Sequence, residues 1–183
     1  MKKITKEEII EVAILILDER GVDGVSLKEV AEILSIKTPS LYNHIKNREN
    51  LLALAAYVSL ENFYQTLLLA SVGVEKKEAL LAMAGAYRQF VVDYPGQYEL
   101  IQKQSYWENT EADKISNQVI GLLQKILASF DLPKGEQIHF IRLVRSYLHG
   151  FSSLTGKKSF QLHQDIEESF IYGLNIIFLV LPE

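Results

Sequence analysis

Apolar side chains recur every three or four positions along almost the whole chain and nowhere settle into strict alternation, so the pattern predicts helices separated by short breaks. The first apolar run, Ile9 to Leu17, follows Thr5 and Glu8 at capping-box spacing and is predicted to stop at Gly21. A short second helix starts at Ser26. Glu29 closes a second capping box there, Val25 and Val30 are placed as a hydrophobic staple, and Leu27, Val30, Ala31 and Leu34 share one face. The break Ser35-Ile36-Lys37 is too short for anything but a corner, with Ile36 as its plug. A third helix then opens with Thr38 as N-cap and Pro39 at the first helical position, where its missing N–H costs nothing. It buries Leu41 and Ile45 and turns Lys37, Ser40, Tyr42, Asn43 and His44 outward. A fourth helix runs from about Arg48 to Ala70, and breaks at 71–73, 94–96, 108–113, 131–135 and 155–159 divide the rest, giving an all-α protein of about nine helices.

The last two helices carry the heaviest apolar load. Between Gly135 and Leu154, the residues Phe140, Val144, Tyr147, Phe151 and Leu154 recur at spacings of four and three, an a/d seam, while Arg142, Ser146, His149 and Ser153 form a polar stripe. The final helix, predicted from Leu162 to Leu181, has acids in its first turns and is apolar on all sides from Phe170, with Gly173 permitting close approach. A homodimer interface through Phe140, Val144, Tyr147, Phe151, Phe170, Gly173, Leu174 and Ile177 is the expectation. The alternative is that these helices only fill the monomer core.

Two short helices joined by a corner, the second with polar side chains outward, present a helix to the DNA major groove. Residues 1–48 are therefore expected to be a three-helix, helix-turn-helix DNA-binding domain, and 49–183 a helical effector-binding and dimerisation domain. Charge qualifies this locally. Residues 1–50 hold eight Lys/Arg against nine Asp/Glu, and the whole chain has net charge −4. From Ile33 to Arg48, however, there is no acid, while Lys37, Lys46 and Arg48 are basic. Such a patch suits a modest number of phosphate contacts.

Residues 5–55 resemble the N-terminal domain of the tetracycline-repressor (TetR) family of bacterial transcriptional regulators, most clearly in Leu41-Tyr42-Asn43-His44-Ile45-Lys46-Asn47-Arg48 followed by Leu51-Leu52. The resemblance implies that Lys28, Thr38, Pro39, Ser40 and Asn43 face base edges or the thymine methyl, and that Tyr42, His44, Lys46 and Arg48 hold phosphates. Ser35 departs from the family, which usually has Gly there. Arg145 to Leu154, around His149-Gly150, and Tyr94 to Leu100 resemble a subgroup with a tryptophan/leucine-histidine-glycine signature. The family implies a ligand-responsive regulator, most commonly a repressor, that binds a palindromic operator as a homodimer and is released by a small-molecule effector. Tyr87, Phe90, Tyr94, Tyr106 and Trp107 are candidates to line the effector pocket, with Arg142 and His149 as polar anchors; Arg142 has the alternative of pairing with Glu99.

Composition removes other classes. There is no cysteine, so disulfide and thiolate chemistry are excluded. The four histidines fall in no zinc spacing, and there is no nucleophile elbow, phosphate loop or dinucleotide fingerprint. Neither a metal, a cofactor nor an enzyme activity is expected. Met1-Lys2-Lys3 before an apolar run imitates a signal peptide, but Glu7, Glu8 and Glu11 interrupt it, and the run from Phe170 to Leu181 is too short to span a bilayer. A cytoplasmic protein with no membrane partner follows as an expectation. The competing function is an all-α small-molecule-binding protein without operator-specific DNA binding.

Overall fold

The computed structural model describes residues 4–108 and 110–182; the basic start Met1 to Lys3, Asn109 in the predicted break and Glu183 lie outside the described residues. Eight α-helices follow one another: α1 (Lys6–Gly24), α2 (Leu27–Ile33), α3 (Arg48–Ala70), α4 (Lys76–Asp93), α5 (Pro95–Gln102), α6 (Glu111–Leu127), α7 (Lys134–Gly156) and α8 (Ile166–Ile177). Tighter 3-10 segments occupy Thr38–Asn43, Gln104–Tyr106, Ala128–Phe130 and Phe178–Val180, and no strand occurs among the described residues. The fold is all-α, as the periodicity predicts.

The chain forms two compact units. One runs to Asn62 and takes in Tyr94–Ser116; the other comprises Phe63–Asp93 and the chain from Asn117 onward. Within the first unit α5 packs closely on α1. Gly96 makes that approach possible: a Cβ on it would run into the backbone of Leu17 and Asp18. Only a glycine lets two helix backbones meet so closely.

In the first unit α1 begins with the predicted capping box, Glu8 N–H donating to Thr5 Oγ1 at 3.2 Å and Thr5 N–H to Glu8 Oε2 at 2.9 Å. The helix is interrupted at Gly21, where the sequence predicts its stop. It kinks there, at φ 70°, and continues one turn to Gly24. Ile9, Ala13, Ile16 and Leu17 turn inward and, like Val30, Leu41, Leu51 and Leu52, are essentially removed from water.

In the second unit α4 packs on α7 and α7 on α8. The ring of Phe63 meets those of Tyr87 and Phe90 edge-on, at 5.3 and 5.1 Å. Phe151 is surrounded by Phe160, Phe170 and Tyr147 at 4.9, 5.2 and 5.6 Å. The residues expected at a dimer interface differ in burial within the single chain. Phe140, Val144, Phe170 and Leu174 are buried inside the unit, and Tyr147, Phe151, Gly173 and Ile177 are half-buried. The a/d seam is consumed within the chain: Tyr147 donates its hydroxyl to the Phe170 carbonyl at 2.9 Å, and Gly173 makes room for the Tyr147 ring. The last helix is also shorter than predicted. Asp165 caps it by accepting from Glu168 N–H at 2.8 Å, so residues 159–164 remain a connection.

Candidate nucleic-acid interface

The corner between α2 and the Thr38–Asn43 segment is closed by backbone hydrogen bonds. Ile36 N–H reaches back to the Ala31 carbonyl at 2.9 Å and Ser35 N–H to that of Glu32 at 3.0 Å, the paired bonds of a Schellman end. That end needs a left-handed residue, and Ser35 supplies it at φ 56°. The substitution for the family's glycine therefore carries a backbone cost of roughly 1 kcal/mol.

The segment after the corner is a 3-10 helix rather than an α-helix. Lys37, not Thr38, is its N-cap, with no side-chain capping bond, and Pro39 is one residue further in than predicted. Leu41 and Ile45 are buried, at 0% and 2% exposure, and pin the segment to the unit. Between and around them Tyr42 (57% exposed), Asn43 and His44 project outward, as do Lys37, Pro39 and Lys46, with Thr38 and Ser40 half-buried. Lys28 is also exposed, and its ammonium lies 3.8 Å from Glu32, a loose pair between two solvated groups. The Ser26 capping box is only half made. Its hydroxyl accepts from Glu29 N–H at 3.2 Å, but the Glu29 carboxylate pairs with Arg20 instead.

Arg48 is placed differently from the phosphate-facing role predicted for it. It is half-buried, and its guanidinium donates to the carbonyls of Val25 and Val22, at 2.7 and 2.6 Å. It satisfies carbonyls left over at the end of α1 and fixes where α3 begins. Asn47 and Asn50 complete that start. Asn47 Oδ1 accepts from Asn50 N–H at 2.8 Å, while Asn50 Oδ1 accepts from Lys46 N–H at 3.0 Å, so Lys46 is held just ahead of the helix with its ammonium exposed.

A second set of residues escaped the sequence reading. Asp18 on α1 accepts from the backbone N–H of Gln97 at 2.9 Å and from its side-chain amide at 2.7 Å, which caps the start of α5 from another helix. Gln97 is 2% exposed, and its remaining oxygen accepts from Asn62 at 3.1 Å. One buried amide thus ties α1, α5 and α3 together.

Comparison with known proteins places this geometry. Residues 9–55 match the model for bacterial regulatory proteins of the tetR family, and residues 80–176 match the tetracycline-repressor-like C-terminal domain. YobS of Bacillus subtilis, a helix-turn-helix-type transcriptional regulator by name, is 33% identical over 174 residues, covering 93% of this chain and 89% of its own. The chain belongs to the TetR family. Rv0681 of Mycobacterium tuberculosis, similarly named, is 30% identical over 151 residues, covering 81% of this chain and 69% of its own. The class D tetracycline repressor of Escherichia coli is 38% identical over 52 residues, 28% of this chain and 24% of its own. A Rhodococcus sp. RHA1 protein of unknown function shares the fold with a TM-score of 0.85 at 17% identity, covering 100% of this chain and 97% of its own.

Seen as a TetR-family chain, its predicted sensing residues separate by environment. Tyr87 and Phe90 are buried against Phe63 in the second unit, and Trp107 is buried in the first, donating its indole N–H to the Ile101 carbonyl at 3.2 Å. Tyr106 is half-buried and Tyr94 exposed. Arg142 and His149, the predicted anchors, lie on the exposed side of α7. Glu99 is not Arg142's partner; it accepts from Lys103 at 2.7 Å, and that hydrogen bond raises the Lys103 pKa. A cleft of about 360 Å³ does exist in the second unit, beneath the α7–α8 connection, and none of these predicted residues lines it.

Proposed function

We propose that the protein is a ligand-responsive repressor that binds a palindromic operator as a homodimer and is released by a small-molecule effector. The observation that carries this is the corner at Ser35: it delivers a segment anchored by buried Leu41 and Ile45, whose exposed Tyr42, Asn43 and His44 are flanked by Lys37 and Lys46 with no acid among them. Regulators of this family bind DNA and small-molecule effectors, typically as dimers. In this reading Lys28, Thr38, Pro39, Ser40 and Asn43 meet base edges, and Lys37, Tyr42, His44 and Lys46 meet phosphates. Arg48 acts behind them, holding α3 and the Lys46 backbone in register.

The dimer forms through the last two helices, on faces other than the seam first expected. α8 leaves Tyr172 and Ile176 exposed at 69% and 50%, the 3-10 turn that follows it leaves Leu179 exposed at 75%, and α7 leaves Leu143 exposed at 48%. Large apolar side chains left exposed on these elements support an interaction surface there. The histidine-glycine subgroup, with Gly150 offering an open approach on α7, belongs to the same proposal, as does a location in the cytoplasm beside the DNA. No helix among the described residues is long and apolar enough to cross a membrane.

Selection of bound sequences from a random duplex library by the purified protein tests the reading. A palindrome whose half-sites lie about one helical turn, roughly 34–36 Å, apart is the expected result. No enrichment at low salt would leave a ligand-binding protein without operator function.

A further inference from the structure

Two buried side-chain atoms of the second unit lack a hydrogen-bond partner: Arg88 Nε on α4 and Ser152 Oγ on α7. Buried polar groups in native proteins are satisfied as a rule, so an orphan calls for an explanation. Arg88 stands among aromatic rings, its guanidinium carbon 5.0 Å from the Phe170 centroid and 6.0 Å from that of Phe151. Its side chain is 19% exposed, whereas its ion-pair partner Glu167, which meets Nη1, is 62% exposed. A guanidinium carries five donors in one plane, and one largely solvated carboxylate recovers little of what its desolvation costs. The edge that includes Nε has the geometry to take the two oxygens of a further carboxylate. Ser152 continues the buried stripe of Val144 and Leu148 at four-residue spacing on α7, the helix against which α4 packs.

Phe151 connects this seam to the cleft beneath the α7–α8 connection. It lines the cleft together with Phe160, Leu162 and Ile166, and the same ring faces Arg88. The volume, about 360 Å³, is at the small end for ligand sites. Phe160 and Leu162 belong to the connection and are 38% and 86% exposed, so the outer wall is a loop rather than a packed helix.

We propose that this seam and cleft bind a small amphipathic carboxylate, its acid group on the Nε edge of Arg88 and its apolar tail between Phe160, Leu162 and Ile166. The proposal rests on the reading of the second unit as a sensor and supplies its ligand class. Phe151 borders both the cleft and the guanidinium, and in this proposal it changes rotamer to admit the acid. Because Arg88 also holds Glu167, in the first turn of α8, an acid at this site bears directly on the helix that presents Tyr172 and Ile176.

Calorimetric titration of the full chain with decanoate and decanamide, and with hydrocinnamate and its amide, tests this without DNA. At least one acid is expected to bind about tenfold more tightly than its amide. Arg88→Gln should abolish that preference while circular dichroism shows a folded protein. Glu167→Gln, which breaks the same ion pair but spares the guanidinium, should retain it. The proposal is overturned if neither acid binds, if acid and amide bind alike, if the preference survives Arg88→Gln, or if Glu167→Gln abolishes it equally. Operator selection is scored separately, so a sequence-specific DNA binder with no acid preference refutes this site and leaves the regulator reading standing.

Discussion

Single residues in the DNA-reading corner separate into those that hold its shape and those that project from it. Ser35 is of the first kind. Its φ of 56° lies in the left-handed region, which costs a residue with a Cβ more than it costs glycine, so Ser35→Gly should stabilise the protein by about 1 kcal/mol, as a rise in the urea midpoint at unchanged slope. An unchanged midpoint would mean that the unfolded-state entropy of glycine offsets the relief. Arg48 and Lys46 then make a contrast that sequence alone did not offer. The acceptors of Arg48 are 23 and 26 residues away along the chain, and no local pattern announces them. Arg48→Ala should therefore cost about 1.5–3 kcal/mol of folding stability for each strong charged hydrogen bond lost. Lys46→Ala should leave stability unchanged and lower the salt dependence of operator binding by about one phosphate contact. Equal loss of salt slope in both variants, with no change in melting, would return Arg48 to the phosphates.

Among the elements, local signals were legible and contacts between helices were not. Thr5 with Glu8, Ser26 as a cap and the span Arg48–Ala70 could be read because capping and apolar periodicity involve neighbours within one or two turns. The 3-10 character of Thr38–Asn43 could not, since residues three and four apart mark the same face in either helix. The pairing of α1 with α5 was also hidden, because a lone glycine beside a proline reads as a helix start whether or not another backbone lies on it. Gly96 shows the consequence. Its missing Cβ lets the Leu17 carbonyl approach, which in turn brings Asp18 onto the Gln97 amide. Gly96→Ala should force α5 off α1 and cost about 1–3 kcal/mol, the range for overpacking, visible as a lowered thermal midpoint. A wild-type midpoint would mean that α5 can shift freely, and the Asp18–Gln97–Asn62 tie would then be incidental to the unit.

At the scale of the whole molecule the apolar content of α8 must be divided between a core and an outer face. The pattern of α8 is apolar all round from Phe170, and periodicity cannot say which side of such a helix meets its own chain. Phe170, Leu174 and Phe178 fill the unit, and Tyr172, Ile176 and Leu179 remain exposed as the face on which the proposed dimer would form. The two faces predict opposite phenotypes. Leu179→Glu places a charge at a position 75% exposed in the single chain, so the subunit should still fold. A buried charge is costly only where a partner would cover it, so the dimer should dissociate in sedimentation equilibrium. Operator affinity should fall with it, because two reading segments held about one helical turn apart bind as one unit only while the subunits are joined. Leu174→Ala removes core volume instead, costing about 2–5 kcal/mol of stability while the dimer persists at temperatures below the transition. The melting temperature of the wild type should rise with protein concentration, as mass action requires of a folded dimer, and that dependence should vanish in Leu179→Glu alone. Dimers in both variants would place the subunit interface elsewhere and leave the exposed face of α8 for a different partner.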